Sequence, residues 1–199
     1  MVQRFLGRAR VYDMFQRALG SHESDRRFVA EHVRPGPDDR VLDLACGTAR
    51  ILAALPSDVR YVGLDISTEY IDAARRRWGS RGAFHAVDVR EATVPPGSFE
   101  RVLMMGVLHH LDDESCRIVL GVAAQALTSG GHLIAIDGEY REQQGRVAHW
   151  LLRSDRGGYV RRADEYAALA ASLFRSVSVT TRSDLLRLPY PHVVLECSP

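Results

Sequence analysis

The chain has 199 residues, 46% of them hydrophobic and 26% charged, with a formal net charge of +1. That length buries a sizeable core without disulfides or a structural metal, and the near-neutral charge supplies no basic field for a nucleic-acid backbone, so no nucleic-acid partner is expected. The three cysteines, Cys46, Cys116 and Cys197, are widely spaced and odd in number, which argues against a disulfide framework or a zinc site and for a reducing, cytoplasmic setting.

The opening segment (MVQRFLGRARVYDMFQRALG) mixes arginine with apolar residues. It lacks the unbroken apolar stretch of a signal peptide. No run along the chain approaches the ~20 apolar residues of a membrane span, so no membrane partner is expected either. From residue 41 onward, short β-rich runs alternate with helical segments. The first predicted strand covers 41–44 and enters a small-residue turn, Ala45-Cys46-Gly47-Thr48-Ala49, followed by a helical stretch over 50–55. A second strand over 61–64 ends at Asp65, and a helix over 68–78 stops at the Gly-Ser-Arg-Gly breaker. The third strand covers 83–87 and is followed by Asp88, and the fourth covers 101–105. A helix beginning near Asp112 carries Ile118, Val119, Val122, Ala123 and Ala126 at helical spacing. Gly130-Gly131 ends it, and 132–136 reads as the fifth strand. A helix over 164–174 and two β-rich runs, 176–181 and 192–197, complete the order.

Strands alternating with helices predict an α/β fold, a mostly parallel sheet with helices on both faces. The last two runs have no helix between them, only a loop containing Pro189 and Pro191, so they are expected to pair antiparallel. In such sheets ligands bind beyond the carboxyl ends of the strands. The informative residues are therefore those just past each apolar run. Small residues at 45, 47 and 49 let a backbone turn approach a ligand closely. Asp65 stands where a carboxylate accepts from a ribose diol, and Asp88 where it accepts from an exocyclic amine such as adenine's. Taken singly, a small-residue turn is more often a tight connection and an Asp after a strand more often a helix cap. The ordered set of three is the stronger signal.

The segments VLDLACGTAR (41–50), GLDIS (63–67), HAVDVRE (85–91), FERVLMMGVLHHLDDE (99–114) and LTSGGHLIAID (127–137) resemble the successive motifs of class I S-adenosylmethionine-dependent methyltransferases of the small-molecule branch. The resemblance implies a Rossmann-like sheet of seven strands with a C-terminal antiparallel strand. It implies a cofactor, S-adenosyl-L-methionine, leaving as S-adenosyl-L-homocysteine, and a small-molecule methyl acceptor. One domain over 1–199 is implied, with a helical lid over 1–34, a cofactor core over 35–140 and a substrate side over 141–199, as monomer or homodimer. By the same resemblance Tyr12 closes over the cofactor, and Asp43, Ala45 and Gly47 lie at its methionine end. Asp65 binds the ribose, Ile66 packs on adenine, Asp88 and Val89 read the adenine edge, and Met105 and Gly106 line the floor. Ala45 and Ala49 stand where the motif commonly has glycine.

His109 and His110 follow the fourth strand, where an imidazole can serve as general base, and His110 is the preferred of the two. The alternative for either is helix capping or packing. Asp137, Glu139, Tyr140, Arg156, Tyr190 and His192 are the expected substrate contacts, and Arg161 reads as part of a solvated loop. No metal is expected. Three other functions share these features: a non-methylating S-adenosylmethionine enzyme of cyclase or decarboxylase type, a catalytically silent binding subunit, and, less compatible with the turn spacing, an NAD-dependent dehydrogenase.

Overall fold

The computed structural model describes residues 21–142, 144, 145, 148, 149, 152, 158–185 and 190–199. Its elements are α1 (Ser21–Phe28), a π-helical turn (Val29–Val33), β1 (Arg40–Leu44), a 3-10 turn (Arg50–Ala53), β2 (Arg60–Asp65), α2 (Thr68–Trp78), β3 (Gly82–Ala86) and β4 (Phe99–Met105). Further 3-10 turns at Gly79–Arg81, before β3, and at Leu108–His110, after β4, precede α3 (Asp113–Ala126), β5 (Leu127–Gly138), α4 (Ala163–Ala171), β6 (Ser176–Arg182) and β7 (His192–Ser198).

The strands form one seven-stranded sheet in the order β3-β2-β1-β4-β5-β7-β6. β1 to β5 pair parallel. β7 runs antiparallel to both β5 and β6 and lies between them. The final pair is thus antiparallel, as its short connection requires, but its later strand sits inside the sheet. The chain leaves β1 toward β2 on one side and reaches β4 on the other, which opens a crevice at the carboxyl ends of β1 and β4.

Alternation along each strand splits the core in two. Leu42, Leu44, Val102, Met104, Leu133, Ala135, Val193 and Leu195 pack against α3 and α4 on one face. Val41, Tyr61, Leu103, Ile134 and Val194 pack with Phe28, Val33, Ile51, Leu52, Ile71 and Ala74 on the other. Burial on both faces is why the inner strands read as continuous apolar runs rather than alternating ones.

Local chemistry sets the helix ends. Ser67 caps α2, its side chain accepting from the Tyr70 N–H, and Asp112 caps α3 by accepting from the Ser115 N–H at 2.8 Å. The buried stripe of α3 is Cys116, Val119, Leu120, Ala123 and Ala126. Ile118, expected inside, is 43% exposed, because the helix turns Cys116 and Leu120 toward the sheet instead. The helix expected over 50–55 is a single 3-10 turn, and β5 begins at Leu127, continuing α3 without a loop.

Candidate active site

The turn after β1 takes an uncommon path. Ala45, Gly47 and Ala49 all have left-handed backbone, with φ of 64°, 55° and 53°. Glycine reaches that region freely, whereas alanine brings a Cβ into contact with its own backbone. The two alanines are held there by neighbours. Cys46 N–H donates to Leu64 C=O at 2.9 Å, Ala49 N–H to Cys46 C=O at 2.9 Å, and Trp78 Nε1 to Thr48 C=O at 3.0 Å. Trp78 therefore ties α2 to the turn.

Asp65 completes the anchoring. Its Oδ2 accepts the Gly47 N–H and its Oδ1 the Ser67 N–H, both at 2.8 Å. Each carboxylate oxygen has capacity for a further donor, such as a ribose hydroxyl. Beside it Ile66 is 68% exposed, an apolar side chain held at the rim. A side chain added at Gly47 would meet no atom within 4 Å among the described residues, so the turn borders open space.

Asp43 lies deeper. It shares a face with Tyr61, whose hydroxyl donates to Oδ2 at 2.6 Å, while Oδ1 is buried without a hydrogen-bond partner among the described residues. Burial pushes this carboxyl up to about 7, with the Tyr61 hydrogen bond opposing and the charge of Asp65 adding to the rise. An orphaned buried acceptor costs roughly 1–3 kcal/mol, a cost that a cationic donor would offset. Tyr61 is a site residue that sequence reasoning missed, since inside an apolar run it reads as core. Asp88 accepts from both the backbone and the side chain of Arg90, and this pairing holds its carboxyl below the usual range. The expected adenine reader thus already faces a cation, though one that is half exposed. Val89 is buried beside it. Met105 is half-buried, and Gly106, at φ 70°, donates its N–H to Ile136 C=O at 2.8 Å.

The fourth- and fifth-strand ends meet through Asp137. Its Oδ2 accepts the Leu108 N–H at 2.8 Å, and its Oδ1 is hydrogen-bonded to Nδ1 of His109. His109 is buried and His110 exposed, with ring centroids 3.9 Å apart. The Cε1 edge of His109 lies 3.8 Å from where a Cβ on Gly106 would stand, at the end of β4. Of the two imidazoles, His109 is the one held by a carboxylate, and His110 stands exposed beside it.

Two expected substrate contacts are corrected as well. Asp137 is 3% exposed and engaged by backbone and imidazole, so it orients His109 rather than facing an acceptor. Glu139 is 5% exposed and accepts from Arg141 Nε at 2.9 Å, which in turn reaches Ser183 Oγ, tying the end of β5 to the end of β6. Tyr140, Tyr190 and His192 are half-buried. The Tyr190 and His192 rings stand 4.9 Å apart, and the Tyr190 hydroxyl sits 2.5 Å from the Cβ position of Gly138. Burial pushes the His192 imidazole down to about 4. Tyr12 and Arg156 lie outside the described residues. Arg161, expected in solvent, is 8% exposed and densely bonded; nothing in its local sequence distinguishes it from the exposed Arg162 beside it. Among the described residues no group of three or more His, Cys, Asp or Glu side chains stands together as a metal site, and no helix is long and apolar enough to cross a membrane.

A doubly wound sheet with a strained small-residue turn, strand-end acids and a rim apolar residue is the architecture found among nucleotide-binding α/β folds. A family model described as a methyltransferase domain matches residues 41–131. The chain is 33% identical over 102 residues to 27-O-demethylrifamycin SV methyltransferase of Amycolatopsis mediterranei, covering 48% of this chain and 37% of that one. It spans between about a third and about half the length of the curated relatives it matches. In fold it is similar to the complex between the Haloferax volcanii Trm112 methyltransferase activator and the putative methyltransferase, with TM-score 0.75, 17% identity, and coverage of 94% and 93% of the two chains. Geranyl diphosphate C-methyltransferase of Streptomyces coelicolor, solved with S-adenosyl-L-homocysteine, superposes with TM-score 0.70 at 14% identity, covering 88% and 78%. Residues 41–131 match the methyltransferase-domain family, and the fold of the chain is that of solved S-adenosylmethionine-dependent methyltransferases.

Proposed function

We propose that this protein transfers a methyl group from S-adenosylmethionine to an oxygen, nitrogen or carbon nucleophile of a small molecule in the cytoplasm. The observation that carries the reading is convergence: the 45–49 turn, Asp65 and the His109–Asp137 pair all stand at the carboxyl ends of β1, β2, β4 and β5. The residues fit the cofactor. Asp43 offers an unsatisfied buried acceptor to an ammonium group, Asp65 retains acceptor capacity for a diol, and Ile66 presents an apolar surface to a base. When bound, S-adenosylmethionine supplies an electrophilic methyl group on a sulfonium.

The chain's own part is positioning and proton handling. Asp137 fixes Nδ1 of His109 and stabilises the imidazolium that forms, and Nε2 is assigned the role of accepting nitrogen. Nε2 would take the acceptor's proton, while Asp43, Asp65 and Ile66 would hold S-adenosylmethionine, which would supply the methyl group to the acceptor's nucleophilic atom and leave as S-adenosylhomocysteine. Residues 35–140 hold the cofactor on this reading; Tyr140, at the end of that range, and Tyr190 and His192, from the 141–199 side, border the acceptor.

Calorimetry with S-adenosylmethionine, S-adenosylhomocysteine and NAD tests the first half. Binding of NAD alone overturns the assignment. Incubation of isotopically labelled S-adenosylmethionine with small-molecule extracts tests the second, since label must appear in an organic product.

A further inference from the structure

The turn that carries His109 is gripped from two sides. On one, Asp137 takes the Leu108 N–H and the His109 ring. On the other lies the segment leading into α4. Tyr159 N–H donates to His109 C=O at 2.9 Å. The Arg161 guanidinium donates from Nη1 to Leu108 C=O at 3.0 Å and to Tyr159 C=O at 2.9 Å. Its Nη2 donates to Leu111 C=O at 2.8 Å and to Asp113 Oδ1 at 2.7 Å, and its Nε to the same oxygen at 3.0 Å. A guanidinium has five N–H donors in a fixed plane, and here all five are used.

The backbone of residue 161 reaches the other half of the pair. Arg161 C=O accepts the Tyr140 N–H at 3.1 Å, and residue 161 bridges Glu139 in parallel. One residue therefore joins the turn bearing His109 to the stretch just beyond Asp137. Burying a guanidinium is costly unless its donors are met. Meeting them with the carbonyls of 108 and 111 fixes the turn on either side of the imidazole.

We propose that Arg161 is a positioning residue, which sets the angle at which His109 meets Asp137 and the acceptor. The inference rests on reading His109 as the base. Catalytic groups need placement within roughly 0.5 Å and 10–20°, and an error near 1 Å can cost on the order of 100-fold in rate. Lysine keeps the charge but offers three donors without the planar fork, so it cannot span both carbonyls and Asp113.

The test uses the full chain labelled with nitrogen-15 at histidine. In the wild type the Nδ1 proton shared with Asp137 gives a downfield resonance, assigned by its loss in Asp137→Asn. Arg161→Lys is expected to broaden or abolish that resonance and to lower kcat roughly 30-fold, with the Kd for S-adenosylhomocysteine within about threefold of wild type, because the strand-end acids are untouched. Wild-type resonance and kcat in Arg161→Lys, with only a lowered melting temperature, overturn the proposal and leave Arg161 a structural residue. Should Arg161→Lys fail to fold, Asp113→Asn weakens the grip from an exposed position. It is expected to broaden the same resonance and lower kcat roughly threefold to tenfold, and wild-type values there overturn the proposal. If His109→Gln turns over like wild type, the base reading fails, while the resonance still decides whether Arg161 sets the ring.

Discussion

Oδ2 of Asp65 accepts the backbone N–H of Gly47 at 2.8 Å, joining the end of β2 to the middle of the turn after β1. A residue expected only to face a ligand thus also shapes the loop that approaches it. Asp65→Ala removes both this bond and the one from Ser67 N–H. We expect a loss of roughly 1–3 kcal/mol in folding stability from the orphaned amides, and roughly 1.5–3 kcal/mol in cofactor affinity. Denaturant unfolding and calorimetry on the same preparation check the two separately. Unchanged stability would mean that the turn holds its shape through Cys46, Ala49 and Trp78 alone.

The Asp43 carboxyl gives a pH dependence whose sign can be fixed. Its folded pKa, about 7, lies above its ordinary value near 3.8. Between those values the folded chain holds a proton that the unfolded chain has released, so stability falls as pH rises through that window. The expected span is roughly 2–4 kcal/mol. Asp43→Asn should flatten that part of the stability–pH curve and be the more stable protein at pH 8. A slope in the variant equal to wild type would place the titration elsewhere.

Ala45 and Ala49 adopt the same left-handed conformation but differ in surroundings. Ala45 is half-buried and Ala49 has no exposed surface. Ala45→Gly relieves roughly 1–2 kcal/mol of backbone strain and gives back about 0.5–1 kcal/mol through the freer unfolded chain. It should therefore raise the melting temperature by a few degrees. Ala49→Gly also loses a buried methyl, about 0.8 kcal/mol, and should leave the melting temperature close to wild type. Thermal unfolding of the pair separates strain from packing.

Gly63 pairs with Asp43 across β1 and β2. A Cβ there would approach Cys46 Sγ to 2.7 Å and Tyr61 Cε1 to 3.1 Å. Gly63→Ala should cost roughly 1–3 kcal/mol through overpacking. It should also weaken cofactor binding, because Tyr61 is displaced from Asp43. Wild-type stability with normal binding would show that Cys46 and Tyr61 yield freely.

His109→Gln should lower kcat roughly 100-fold or more with any acceptor the wild type methylates, at nearly unchanged cofactor affinity. His110→Gln should stay within about threefold of wild type. The reverse pattern would return the base to the exposed imidazole.

The class of fold and the strand-end positions were legible because parallel strands covered on both faces leave continuous apolar runs, and because the small-residue turn and the acids past each run follow chain order. What stayed hidden depends on contacts distant in sequence. Tyr61 reads as core until Asp43 is seen opposite it. Nothing local says that Asp137 turns to His109 rather than outward, or that Arg161 collects the carbonyls of a turn far earlier in the chain. The inward face of α3 was misjudged at Ile118 for a related reason: Cys116 and Leu120 offer a stripe of similar quality, and only the sheet beneath decides between them.

The placement of β7 between β5 and β6 has a bearing on how the chain assembles. β6 leaves the ribosome before the strand that connects it to the sheet, and α4 is already waiting with an apolar side exposed. Five strands can close in order as they are made, while β6 stays without its ladder until residues 192–198 thread in beside β5. The late half of the molecule, which includes the Arg161 grip on the His109 turn, would then be the last part to become protected against amide exchange. The crevice at the ends of β1 and β4 would take its shape while the turn bearing His109 was still loose.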